Sequence, residues 1–396
     1  MTTPSRRRRY AVLQAGARMH YAVPALLARA GALAAFYTDL HSSHRPIQAL
    51  DAFWPRALQP KALKRLIGRR LPAELPRRLV RDQPLASLSW ARGDRGETLV
   101  LERACNERFG GANALYTNFI NNDIEAVRQA KDQGLYLVHE LIIGADVGRI
   151  LLEERRNYPG IEPAGEPEQV VEAGIERDRR KWALSDQVLV PSAYCRESSI
   201  TLGCDPSKIS VVPYGIPEHW FDLQPEPEPG RILFVGQVGL RKGNHYLAEA
   251  CRLFEQRGLP FECRVAGPAQ VDVTHPLFVG PTYLGQVPRS QVQEEFRRAD
   301  MFVLPTLADS FGLVHLEAMA CGVPVITTPH CGSVVRDGVD GFIVPIRDAG
   351  SLADRLQQLL EDRALRRQMG AAARERAREF SWGSYSERLL AALDVP

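Results

Sequence analysis

Residues 308–322 read ADSFGLVHLEAMACG and follow directly on the apolar run DMFVLPT (300–306). The run has the length and composition of a strand, Ser310-Phe311-Gly312 carries a turn, and LVHLEAMACG continues as a helix to Gly322. Strand, tight turn and helix form the unit from which parallel sheets are wound. The stretch therefore sets the fold class at α/β.

The same rhythm extends outward. Before it come YAVLQ (10–14), LAAFYTD (33–39), ALYTNF (114–119), LYLVHELI (135–142) and DQVLVPS (186–192), separated by amphipathic stretches; the pattern restarts at RILFVGQ (231–237) and runs through FECRVAG (261–267) to VPVITTP (323–329). Two doubly wound sheets are expected. Between them YGIPEHWFDLQPEPEPG (214–230) is rich in proline and acid and lacks periodic apolar positions, as an interdomain linker would. A chain of 396 residues also exceeds an ordinary domain of roughly 100–200 residues. The expected division is 1–215, 216–380 and a last amphipathic helix within 381–396 that packs back on the first domain. Ligands of open α/β sheets sit at the carboxyl ends of the strands, so two facing sheets enclose a deep cleft with one ligand half on each side.

Composition excludes several classes. Hydrophobic and charged fractions of 45% and 24% are those of a soluble globular protein. Charge interrupts every apolar run before the roughly 20 residues that span a bilayer. The seven cysteines are odd in number and contain no C-x-x-C pair, which argues against a disulfide framework or zinc site and fits a reducing cytosol. The opening RRRRYAVLQAGARMHYAVPALL starts like a signal peptide, but Arg18, His20 and Arg29 break its apolar part, so it reads as basic tail, strand and helix. The net charge of +3 is unevenly spread: residues 45–81 carry ten basic side chains against Asp51 and Glu74. Interleaved with Leu63, Leu66, Ile67 and Leu71, they suit contact with anionic lipid and equally suit a solvated helix pair. No nucleic-acid-binding signature accompanies the charge.

Four stations can carry chemistry. In the opening stretch, the first N–H groups of the helix lack internal partners and make a seat for phosphate, and Gly312 admits an anion closely. Glu317 can accept two hydroxyl hydrogens from a diol such as a ribose, while Asp309 at the strand end faces whatever lies beyond the phosphate. The plainer reading makes Asp309 a helix cap and Glu317 a solvated residue. The second station, FVGQVGLRKGNHYLAEA (234–250), is a glycine-punctuated loop before a helix beginning near Lys242; Arg241 and Lys242 there can neutralise a leaving diphosphate, or serve as surface bases. At the third, Gly16 after the first strand turns backbone N–H groups toward the cleft. The fourth is His139, placed to touch an acceptor hydroxyl or a transferred sugar, or else a buried structural histidine.

In order, these stations resemble the family 4 (group 1) retaining glycosyltransferases, whose two facing Rossmann-like domains form the GT-B fold. The resemblance rests on DSFGLVHLEAMACGVPVI (309–326), CGSVVRDGVDGFIVPIRD (331–348) and VPSAYCRESSITLGCDPSKISVVPYGI (190–216). It implies that Glu317 binds the nucleotide ribose and that Asp309 contacts the transferred sugar, in place of the family's longer glutamate. It also implies that Ser310 and the backbone of Phe311, Gly312 and Leu313 hold the distal phosphate, with Lys242 and Arg241 on the diphosphate near Gly236. Gln237 stands where the family usually has arginine. The resemblance further implies transfer from a UDP- or GDP-sugar to a saccharide or lipid-linked acceptor in polysaccharide or glycolipid synthesis. The leaving phosphate would assist from the front face, with no metal or other cofactor. Apart from the resemblance, the cysteine usage reads as cytoplasmic, and the basic stretch 45–81 allows peripheral contact with the membrane. A sugar-nucleotide epimerase and a catalytically silent nucleotide-sugar binding module are the alternatives.

Overall fold

The structure is a computed structural model describing residues 7–55, 59–84, 86, 95–119 and 123–396. Its first domain contains β1 (Tyr10–Leu13), α1 (Ala22–Arg29), β2 (Leu33–Thr38), α2 (Arg45–Phe53), α3 (Lys61–Ile67), β3 (Val80–Asp82), α4 (Arg95–Asn106), β4 (Ala114–Thr117) and α5 (Ile124–Asp132). It continues through β5 (Tyr136–Glu140), α6 (Val147–Asn157), α7 (Glu168–Leu184), β6 (Gln187–Val190), α8 (Ala193–Thr201) and β7 (Ile209–Val211). The strands lie in the order β3-β2-β1-β4-β5-β6-β7, all parallel. The central strands β1, β4 and β6 are buried along their whole length, because helices cover both faces of a doubly wound sheet.

The second domain repeats the plan with β8 (Arg231–Val235), α9 (Asn244–Gln256), β9 (Glu262–Ala266), β10 (Thr282–Gly285), α10 (Arg289–Arg298), β11 (Met301–Leu304) and α11 (Leu313–Ala320). After these come β12 (Val325–Thr327), β13 (Gly341–Ile343), α12 (Ala349–Glu361) and α13 (Arg363–Arg378), with strand order β10-β9-β8-β11-β12-β13. Both orders reverse direction beside the first strand of their domain, which puts a crevice at the carboxyl ends of β1 and β4 and of β8 and β11.

The expected linker differs from an open strap. Residues 218–222 form a helical turn, and Trp220 within it is fully buried, edge-on to Phe296 of α10 at 5.4 Å. A single aromatic anchor leaves no periodic signal, so the sequence pattern missed it. The helix expected near Lys242 starts at Asn244, because Gly243 adopts φ 69° and ends the preceding turn.

The chain passes between domains twice, side by side. Ile216 donates its N–H to Phe380 (2.9 Å), and Trp382 donates to Ile216 (3.0 Å). The last helix, α14 (Trp382–Ala392), then lies on the first domain, where its end accepts from the Tyr10 hydroxyl at Leu393 (2.6 Å) and from Gln187 at Ala392 (2.8 Å). Glycine is required at this crossing: a Cβ on Gly215 would sit 2.4 Å from the Ser381 carbonyl oxygen. Gly215→Ala is expected to destabilise the chain by about 1–3 kcal/mol, read as a lower denaturation midpoint in urea.

Candidate active site in the interdomain cleft

A cavity of about 670 Å³ opens between the domains, lined among others by Arg18, Tyr214, Arg289, Asp309, Phe311 and Glu317. Asp309 leaves β11 and Glu317 stands on α11, so the strand–turn–helix unit delivers both carboxylates to one space. Burial pushes the Glu317 carboxyl up from 4.5 to about 7, against the opposing pull of the Arg289 guanidinium, 4.0 Å away.

The turn between the acids is held from the other domain. Gly144 donates its N–H to Ser310 Oγ (2.9 Å), and the Ser192 hydroxyl, which caps α8, donates to the Ser310 carbonyl (2.8 Å). Phe311 packs edge-on to Tyr214 at 5.5 Å. Gly312 does not offer its N–H to a ligand as expected; it donates to the Cys331 carbonyl at 3.0 Å. Leu313 lines the cavity but donates back to Phe311 (3.0 Å). The N–H groups of Ser310, Phe311 and Val314 have no acceptor among the described residues, which leaves these as the turn's available anion donors.

Lys242 and Arg241 follow the glycine loop after β8. Lys242 is ion-paired with Asp309 Oδ2, and Arg241 approaches Oδ1 at 3.7 Å while donating to the Ala308 carbonyl at 3.2 Å. Neither basic side chain lines the cavity itself. Gly236 donates its N–H to Ala266 and allows the close approach of Gly267, whose added Cβ would fall 1.8 Å from the Gly236 oxygen. Its N–H is therefore spent on backbone packing. Gln237 is half-buried, makes no hydrogen bond among the described residues and does not line the cavity.

One first-domain expectation is corrected and, of the two readings of His139, the structure fits the buried structural one. The Gly16 N–H does not face the cleft but donates to Asp39 Oδ1 (2.8 Å), whose other oxygen meets Arg69 at 2.5 Å. His139 does not line the cleft cavity; it lines a separate one of about 180 Å³ beside Asn118, Ile142 and Asp178. Burial drives its pKa down to about 3, so the ring is neutral. From the stretch after β1 it is Arg18, not Gly16, that lines the cavity. Met19, His20 and Tyr21 there hold positive φ (45°, 52° and 61°), and this left-handed turn sets Arg18 in the cavity wall. Arg18 bonds the Tyr214 hydroxyl, which donates to Glu140 at 2.8 Å. An arginine two residues after a strand-end glycine was the available signal.

One cluster among the described residues has metal-ligating atoms close together: His41, His44 and Asp82. It lies outside the cleft lining, His44 is already paired with Asp82 at 2.6 Å, and the His41 Nδ1 lone pair accepts from the Ser43 N–H at 3.2 Å.

With this geometry in view, the chain can be set beside known proteins. Residues 216–376 match the family model of glycosyl transferases group 1. The matched stretch coincides with the second domain. The amylovoran biosynthesis glycosyltransferase AmsK of Erwinia amylovora is 26% identical over 269 residues, which cover 63% of this chain and 60% of that protein. A D-inositol 3-phosphate glycosyltransferase of Kineococcus radiotolerans is 31% identical over 299 residues, 64% of this chain and 65% of the relative. The chain thus spans less than two thirds of the length of either relative. Among solved structures, Anabaena HepE in complex with UDP and glucose superposes with TM-score 0.63 at 15% identity, over 98% of this chain and 99% of that one. Sucrose-phosphate synthase of Thermosynechococcus elongatus gives 0.63 at 19%, over 98% of each chain. These likenesses establish the architecture of two Rossmann-like domains, the GT-B fold.

The raised pKa of Glu317 has a direct consequence. Between pH 4.5 and 7 the folded chain keeps a proton that the unfolded chain has lost, so stability falls as pH rises through that window and the loss is complete above it. Glu317→Gln, which cannot ionise, is expected to exceed the native chain in stability by about 2 kcal/mol at pH 8 and to equal it near pH 4. Urea denaturation at the two pH values checks this.

Proposed function

We propose that the chain is a retaining glycosyltransferase that moves a sugar from a UDP- or GDP-sugar to a saccharide or lipid-linked acceptor in polysaccharide or glycolipid synthesis. The observation that carries the reading is the delivery of Asp309 and Glu317, from either end of one turn, into a single cavity walled by both domains. The names of the relatives support it: one is a glycosyltransferase of amylovoran biosynthesis, and the HepE structure contains UDP and glucose.

In this reading Glu317 accepts hydrogen bonds from the ribose hydroxyls, and the Phe311 and Val314 N–H groups at the head of α11 meet the distal phosphate. Lys242 leaves Asp309 for the diphosphate, and the freed Asp309 faces the sugar. The bond from the anomeric carbon to the phosphate oxygen breaks as the acceptor oxygen bonds the same face. The acceptor proton passes to the leaving phosphate, whose growing charge Lys242 and Arg241 offset. This chemistry uses no protein nucleophile, and we propose that it runs without a metal. In this reading the acceptor meets Arg18 and Tyr214, which line the first-domain wall of the cavity.

The same reading takes the acceptor from a membrane surface in the cytoplasm. On α2, Phe53 is 88% exposed, and Leu50 and the adjoining Trp54 are also exposed, beside Arg45 and Arg70. Arg56 and the side chains of Lys61 and Arg65 lie outside the described residues. No described helix is long and apolar enough to cross a membrane. Phe53→Ser combined with Trp54→Ser is expected to lower sedimentation with anionic vesicles at least several-fold while leaving nucleotide binding intact.

Calorimetric titration of UDP- and GDP-sugars into the native chain and into Glu317→Ala tests the donor site. Micromolar binding by the native chain, weakened at least tenfold by the substitution, is expected. Binding to neither nucleotide class sinks the reading. Lys242→Ala is expected to reduce turnover by about 10²–10³. Interconversion of free nucleotide sugars, or tight binding without turnover, would instead assign an epimerase or a silent module.

A further inference from the structure

Two carboxylates of the first domain reach across the seam to the loop that carries Lys242. Glu162 accepts the Leu240 N–H at Oε1 (2.7 Å), pairs through Oε2 with Arg155 at 3.2 Å, and is only 7% exposed. Glu154, on α6, receives the Tyr246 hydroxyl (2.8 Å) and meets His245 Nε2 (2.8 Å), both on the first turn of α9, and takes Arg347 on its other oxygen at 2.6 Å. One carboxylate therefore holds the loop two residues before Lys242, and the other holds it three and four residues after.

The second domain fixes the loop elsewhere but leaves those two ends to its neighbour. Asn244 accepts the Gly239 N–H at 3.0 Å, and Gly243 lies so close to Pro305 that a Cβ would fall 2.0 Å from its carbonyl oxygen. Gly239 likewise leaves room for Glu162, whose Oε1 would stand 2.7 Å from a Cβ there. Tyr158, one turn beyond Glu154, packs edge-on to His245 at 4.6 Å.

We infer that Glu154 and Glu162 are positioning residues that set the Lys242 loop for the donor diphosphate only when the domains are closed. The inference rests on the donor reading above for its ligand, but not for the contacts. If the domains part, the Leu240 N–H and the His245–Tyr246 turn lose their acceptors together, and the loop keeps only its second-domain contacts, among them Lys242 N–H to Gly239, the Arg241 carbonyl to Thr306 and Leu307, and the Lys242–Asp309 pair. Closure and assembly of the diphosphate site are then one event rather than two.

The test uses the full chain with Glu162→Ala, its conservative counterpart Glu162→Gln, and Glu154→Gln, which keeps shape and volume while removing the charge that pairs Arg347. Hydrogen exchange of the nucleotide-free protein reads the loop directly. In Glu162→Ala the Leu240 amide is expected to exchange at least tenfold faster than in the native chain, with Glu162→Gln restoring most protection because its amide oxygen still accepts. Glu154→Gln is expected to raise exchange across 243–246. Donor turnover by Glu162→Ala is expected to show a higher KM and a lower kcat together, with both recovered in Glu162→Gln. Native exchange in all three variants overturns the inference, as does faster exchange with unchanged KM and kcat. A native chain that binds no nucleotide sinks the donor reading, and with it the role proposed here, even if the exchange arm shows both contacts.

Discussion

The Glu154 carboxylate is wholly removed from water, and its partners among the described residues, His245, Tyr246 and Arg347, all belong to the other domain. A lone carboxylate in such a place would be costly by several kcal/mol, so the two domains are bound to each other at this point by the need to keep it satisfied. Burial alone would raise its pKa, but hydrogen bonds from His245, Arg347 and Tyr246 outweigh that and hold it below the ordinary value. Tyr246, Leu307 and Ala349 form a small apolar cluster at the same seam, with Ile150 and Tyr158 of the first domain packed against it. With the seam closed, the carboxyl ends of the two sheets face each other and the cleft has two walls.

The cleft shows the same division of labour at smaller scale. Asp309, Ser310 and Phe311 belong to the second domain, yet Ser310 is fixed by Gly144 and Ser192 of the first, and Phe311 rests on Tyr214. The acids of the turn are in different electrical states. Asp309 is matched by Lys242 and Arg241, whereas Glu317 has a distant, mostly exposed arginine and is driven toward its neutral form by burial. A ligand entering this space meets one preformed ion pair that it must open and one carboxyl that it must help to ionise. In the donor complex proposed above, both costs would be offset by a diphosphate replacing the Asp309 carboxylate at Lys242 and by diol hydroxyls bonding the charged form of Glu317.

What was legible in the sequence followed from periodicity and from one local unit. The central strands are long apolar runs, so their positions and the two-sheet plan could be read directly. The edge strands β3 (VRD) and β7 (ISV) are three residues long and partly exposed, and nothing in their composition separates them from loop. Asp309 and Glu317 were legible because the strand, turn and helix that join them are contiguous. Gly16 and Gly312 were misassigned because a glycine turn reveals freedom of approach but not where its N–H is spent; Asp39 and Cys331 take those donors from distant parts of the chain. Glu154 and Glu162 were missed for a related reason. On α6 and the loop after it they read as ordinary solvated acids among arginines, and only the docking of the second domain removes them from water.

The account stands or falls on what occupies the cavity beside Glu317. The most direct measurement is a crystal structure of the full chain grown with a UDP-sugar and, separately, with a GDP-sugar. The account predicts ribose hydroxyls on the Glu317 carboxylate, the diphosphate against the Phe311 and Val314 N–H groups, and Lys242 turned from Asp309 toward phosphate. A nucleotide bound elsewhere, with the cavity empty and the Lys242–Asp309 pair intact, would contradict it.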